Sequence, residues 1–271
     1  MADQTIRERF WIWGMKVNAL QETDTYRSLG FGTSTMTVED AVRRTGSTNV
    51  IIAGGLPIDG ETLASMPSAT RIICKSGLHR STRQGRAIDY DTASAALAAA
   101  KRLAARDTRI EGFHLDDFST GSLDAGAAPQ HLARLQFQNA VTPPQLPLGA
   151  TIYTLSLNRP ELPAFLPYFD KFLVPLWHSD QIESVPGCIS RLSELSGGKP
   201  MILCLYCFDF GNSRLIPADL MRRHLAVAEE LLCAERVAGL CVCGTCMMDL
   251  DWESNHCLYA WLDRTGDLPI P

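Results

Sequence analysis

Short apolar runs of strand length recur along the chain: Phe10 to Met15, Asn49 to Ala53, Thr70 to Lys75, Ile110 to Asp116, Gly149 to Leu155, Lys171 to Leu176, Pro200 to Phe208 and Val237 to Gly244. Amphipathic or Ala/Leu-rich stretches separate them, and this alternation predicts a parallel sheet with helical crossovers. Most intervals are roughly 30 to 40 residues, about one strand-helix unit each, and two nearer 20 require short helices.

Caps and periodicity mark the helices. Thr37 precedes Val38-Glu39-Asp40, and Asp91 precedes an Ala-rich run that reaches Leu103. A third helix is expected from about Pro217 through Glu235, where Leu220, His224, Leu225, Ala228, Leu231 and Leu232 share one face. Eight such units closing on themselves predict an α/β fold, a single (β/α)8 TIM barrel over residues 1–271. No internal repeat or long linker divides it. An open doubly wound sheet would show a Gly-rich phosphate turn after its first strand, and Gly14-Met15-Lys16-Val17 is not one.

Composition narrows the function. Hydrophobic residues make up 46% and charged residues 20%, the mixture of a chain that buries a large core. A net charge of -5 argues against nucleic acid as a partner, because phosphate-binding surfaces need clustered Lys and Arg. The one basic cluster, Lys75, His79, Arg80, Arg83 and Arg86, reads as a solvated loop. No apolar run reaches the roughly 18 residues of a membrane span, and charges occupy the first ten positions where a secretory leader would be apolar. A cytoplasmic protein without membrane association is expected. Nine cysteines, an odd number placed largely in apolar runs, suit buried reduced thiols.

In a barrel of this type catalytic groups come from the C-terminal ends of several strands. The strongest such segment is Ile110-Glu111-Gly112-Phe113-His114-Leu115-Asp116-Asp117-Phe118, a strand that ends in two acids. It resembles the fourth strand of TIM-barrel glycoside hydrolases, where a Gly-x-x-x-Asp segment delivers a catalytic carboxylate to the sugar site. Against the chitinase-type pattern Asp-Gly-x-Asp-x-Asp-x-Glu, it carries Glu111, His114 and Phe118 where Asp, Asp and Glu stand. The resemblance implies an enzyme acting on a sugar or glycoside, with Asp116 as acid/base or nucleophile and no cofactor.

Neighbouring side chains on an extended strand point to opposite faces. Both acids are catalytic candidates, but only one can enter the lumen while the strand stays extended: Asp116 is favoured there above His114, with Asp117 turned towards loop partners or the following helix, and the reverse phase stays open. Glycoside hydrolysis needs a second carboxylate, about 5 Å away for retention or about 6.5 to 9.5 Å for inversion. Asp209, Asp251 and Glu253, all following late strands, are the candidates. Trp13, Tyr153, Trp177 and Trp252 offer rings for the apolar faces of a sugar, and Lys75, His79, His114, His178 and Tyr206 offer polar groups at strand ends. Two other readings stay open: a lyase, aldolase or isomerase using Lys75 as an amine nucleophile or a divalent metal held by His114, Asp116, His178 and Asp209, and a carbohydrate-binding barrel without catalysis.

Overall fold

The computed structural model describes residues 4–270, so the ends of the expected 1–271 unit, residues 1–3 and 271, lie outside it. Eight parallel strands form a closed barrel: Phe10–Gly14, Asn49–Ile52, Arg71–Gly77, Ile110–Asp116, Leu148–Thr151, Lys171–Pro175, Met201–Tyr206 and Gly239–Cys243. Each pairs with its neighbours in sequence, and the first closes on the eighth from Phe10 opposite Leu240 to Trp13 opposite Cys243. All eight expected runs are strands. The fifth stops at Thr151 because the chain tightens into a 3-10 turn at Thr154–Ser156. The seventh stops at Tyr206, and Phe208–Asp209 pair instead with Arg214–Leu215 in a small ribbon outside the barrel.

The helices form where their caps predict. Val38–Thr45 opens with a capping box between Thr37 and Asp40, each supplying a side-chain partner to the other's backbone N–H. Tyr90–Ala104 starts slightly earlier than expected, because Asp89 rather than Asp91 accepts from the N–H of Thr92. Ala218–Cys233 buries His224, Leu225, Ala228, Leu231 and Leu232, the expected face with Leu220 at its margin. None of the described helices is long and apolar enough to cross a membrane.

The fourth strand shows how the core positions the site. Glu111 is an extra residue opposite the third strand, since Ile110 pairs with Ile72 and Gly112 with Ile73. Beyond this bulge the alternation is regular. Phe113 and Leu115, both about 1% exposed, face the helical layer, while His114 and Asp116 face the lumen. Gly149 stands opposite His114, and a Cβ there would lie 2.6 Å from His114 Nδ1, so the fifth strand makes room for the imidazole.

Two loops on the same end of the barrel are elaborated. After the third strand a hairpin pairs His79–Thr82 with Gly85–Ile88. After the first strand the chain runs through the short helix Asp24–Ser28 before reaching Thr37.

Candidate active site

A cavity of about 230 Å³ opens at the C-terminal end of the barrel, with Asp116, Asp117 and Thr151 on one side and Trp177, Tyr206 and Phe210 on the other. Asp116 and Asp117 are the acids that line it. Their joint presence departs from simple alternation, and the backbone explains why. The strand ends at Asp116, and Asp117 takes a left-handed conformation (φ 50°, ψ 31°) at the head of a π-helical turn, Phe118–Ser122. Aspartate tolerates that region better than most residues, and the turn away from extended geometry brings its carboxyl back to the lumen side. Both acids therefore line the lumen, where an extended strand would have admitted only one.

The partners of the two acids differ. Lys75 Nζ lies 2.8 Å from one Asp116 oxygen, and Thr151 Oγ1 donates to the other at 3.0 Å. Thr151 Oγ1 also meets His114 Nε2 at 2.9 Å, which joins His114, Thr151, Asp116 and Lys75 into one chain of contacts across three neighbouring strands. Asp117 accepts a 2.6 Å hydrogen bond from Tyr153 Oη. Ser119 in the π turn accepts from the backbone N–H of Tyr153, so the turn and the segment just past the fifth strand hold each other in place.

These surroundings drive the two carboxyls apart. Burial disfavours ionisation of Asp116, but the Lys75 ammonium, helped by the Thr151 hydroxyl, outweighs it and holds its pKa below the usual carboxylate range. For Asp117, burial and then the charge of Asp116 raise the pKa, with Tyr153 and Lys75 only partly offsetting them. Burial takes the His114 imidazole down to about 3, so it is neutral at ordinary pH. Burial also works against the Lys75 ammonium, yet Asp116 keeps its pKa raised. A protonated amine is no nucleophile, which speaks against a Schiff-base role for Lys75.

Aromatic rings wall the cavity. Tyr153 meets Trp177 edge-on at 5.5 Å between centroids, Trp177 stacks on Phe210 at 5.7 Å, and Tyr206 meets Phe210 at 5.0 Å. Trp13 lies beneath Lys75 Nζ at 5.5 Å and edge-on to His114. Lys75 and His114 thus act from behind the lining, through Asp116 and Thr151.

The remaining candidates sit elsewhere. Asp209 is a structural acid: its side chain has no solvent exposure, accepts from Ser179 and Asn212, and braces the ribbon that follows the seventh strand. Asp251 is 96% exposed beside His256, and Glu253 is an exposed acid in the first turn of the helix Glu253–Thr265. The expectation that one of the three faces Asp116 is therefore corrected, because strand-end position alone did not show that the chain turns outward after Tyr206 and Cys243. Trp252 is likewise corrected as a sugar platform: it is buried against Phe31 and Phe208. His178 packs over Gly211, and His79 lies in the hairpin with Nδ1 3.2 Å from Ser122 Oγ, both outside the cavity lining. His114, Asp116, His178 and Asp209 do not gather, and among the described residues no three His, Cys, Asp or Glu side chains converge to hold a metal ion.

Sequence reasoning missed Leu20 and Tyr26 from the first loop, Phe210 and Cys204, all of which line the cavity together with Cys243, whose place at the end of the eighth strand put it near the mouth. A ring in a long polar loop was the one signal for Tyr26. The neighbouring Cys204 thiol, then burial, raises the Cys243 pKa, and burial foremost raises that of Cys204, so both are poor nucleophiles.

No family model matches this chain, and no curated protein sequence matches it. Solved structures do. A glucosidase from Croceicoccus marinus superposes with a TM-score of 0.59 at 12% identity, over 89% of this chain and 60% of that one. The likeness is one of fold. A chitinase from Chromobacterium violaceum gives 0.54 at 12% identity, over 95% and 98% of the two chains. The glycoside hydrolase domain of PgaB (BpsB) from Bordetella bronchiseptica gives 0.55 at 10% identity, over 96% and 99%. The chain is thus a TIM barrel of the shape found in glycoside hydrolases, and it spans 60% of the glucosidase's length.

Proposed function

We propose that this chain is a glycoside hydrolase-like enzyme in which Asp116 and Asp117 form the carboxyl pair. One observation carries the reading: two adjacent acids line one aromatic-walled cavity, and their surroundings push their protonation in opposite directions. Separated carboxyl pKa values are how one site supplies an acid and a carboxylate at the same pH.

Asp117, which keeps its proton more readily, gives that proton to the glycosidic oxygen as the bond to the sugar breaks and the alcohol leaves; a water then adds to the anomeric carbon and its proton passes to the Asp117 carboxylate, which restores the acid. Asp116, held ionised by Lys75, stabilises the positive charge that develops on the sugar ring. Tyr153 orients Asp117, Thr151 orients Asp116, and Trp177 with Tyr206 offers ring faces to the apolar side of the sugar. The neutral His114 closes the chain of contacts behind Thr151 without adding charge.

Turnover of a panel of 4-methylumbelliferyl glycosides by the wild type and by Asp117→Asn tests the proposal. Loss of the proton donor should cost about 100-fold or more on whichever substrate is cleaved. Unchanged turnover in the variant, or a wild type that cleaves none of the panel, would sink it.

A further inference from the structure

Resting on that glycosidase reading, we infer that the cavity takes a single terminal sugar residue, so that the enzyme removes monosaccharides from a chain end and does not cut inside a polymer. Three features of the structure converge on this. The first is size: about 230 Å³ falls below the roughly 300 to 1,000 Å³ typical of sites for drug-sized ligands. A space on that scale suits one sugar ring seated against the aromatic wall.

The second is the first loop, which turns a cleft into a pocket. Leu20 and Tyr26 line the cavity from this loop, far in sequence from the acids. Tyr26 meets Phe210 edge-on at 6.0 Å and Phe31 at 5.1 Å, and Phe31 in turn packs on Phe208 and Trp252. Gln21 donates to the carbonyl oxygens of Gly32 and Cys246, which ties the loop to the chain beyond the eighth strand. The loop is thus anchored at several points across the barrel end.

The third is continuity of the wall. Tyr153, Trp177, Phe210 and Tyr26 follow one another as neighbouring rings from the segment after the fifth strand round to the first loop. A polymer threading through the site would need an exit on each side of the bound residue, and this arc blocks one of them. The loops after the second and third strands contribute no lining residue, so the leaving portion of the substrate departs on that side.

The test uses matched aryl glycosides of one sugar unit and of three, together with binding to Asp117→Asn followed by the fluorescence of Trp177 and the other tryptophans. The panel comprises glucose, galactose, N-acetylglucosamine and glucuronic acid, each as monosaccharide and as linked trisaccharide. We expect kcat/KM for the aryl monoglycoside within tenfold of that for the aryl trioside, and monosaccharide as the first product from the trisaccharide. In Tyr26→Ala the opened wall should admit internal residues, and a disaccharide should appear among early products. An enzyme at least 100-fold better on the trioside, or early internal fragments from wild type, would overturn the inference and leave the hydrolase reading intact. Monosaccharide binding without turnover of any glycoside would instead end the hydrolase reading and support the single-residue pocket. Absence of binding by every sugar would end both.

Discussion

Tyr153 Oη donates to Asp117 Oδ1 at 2.6 Å, so the acid whose pKa burial raises has a partner that favours its ionised form. Removing that partner should move Asp117 further in the direction burial already pushes it. In Tyr153→Phe the alkaline limb of the kcat/KM profile should shift to higher pH, while the ring still packs against Trp177. An unshifted limb would show that Asp117 does not set it.

The profile itself should be bell-shaped. Activity needs Asp117 protonated and Asp116 ionised, so it falls as pH rises through the raised pKa of Asp117 and as pH drops towards the lowered pKa of Asp116. The apparent values belong to the pair, since each acid feels the other's charge. Stability follows the same signs. Asp116 binds its proton less tightly folded than unfolded, so its contribution is present above the ordinary carboxylate range and is lost on acidification. Asp117 binds its proton more tightly when folded, so its contribution is full below that range and is lost as pH rises through its folded value. Urea titrations at a series of pH values, comparing wild type with Asp117→Asn, should show the second loss in the wild type alone.

Asp116→Asn should be the more damaging variant for stability. It leaves Lys75 facing a neutral amide in a position where both side chains are only 20% exposed. Removing one member of a largely buried ion pair costs about 3 kcal/mol. The double variant Asp116→Asn with Lys75→Met should recover much of that loss without regaining activity, which chemical denaturation and a glycoside assay would read separately.

Gly149→Ala should disturb the site from behind. The added methyl would lie 2.6 Å from His114 Nδ1, and the neighbouring strands leave the ring little room to move. We expect a loss of about 1 to 3 kcal/mol from overpacking and reduced turnover as Thr151 loses its fixed partner. A variant with unchanged melting and unchanged kcat would show that the imidazole can relocate freely.

The barrel was readable in the sequence because each strand is a compact apolar run between helical stretches, and these runs differ from the observed strands mainly at their ends. Alternation also placed Asp116 in the lumen above His114. It failed at Asp117, because a single left-handed residue reverses the direction of a side chain without altering hydrophobic periodicity. It failed again at Asp209, Asp251 and Glu253, which follow strands in sequence but leave the barrel axis through turns that only tertiary packing fixes. Tyr26 and Phe210 escaped for a related reason: the path of a long loop depends on what it lands on.

The left-handed turn at Asp117 has one more consequence. In most arrangements of two acids on separate strands, their spacing depends on how the sheet is packed and shifts as the fold loosens. Here a single peptide link joins the two, and neighbouring Cα atoms are fixed at about 3.8 Å by covalent geometry. Warming, a distant substitution or a change of solvent can alter what approaches the pair, while the link between its members keeps its length for as long as the chain is whole.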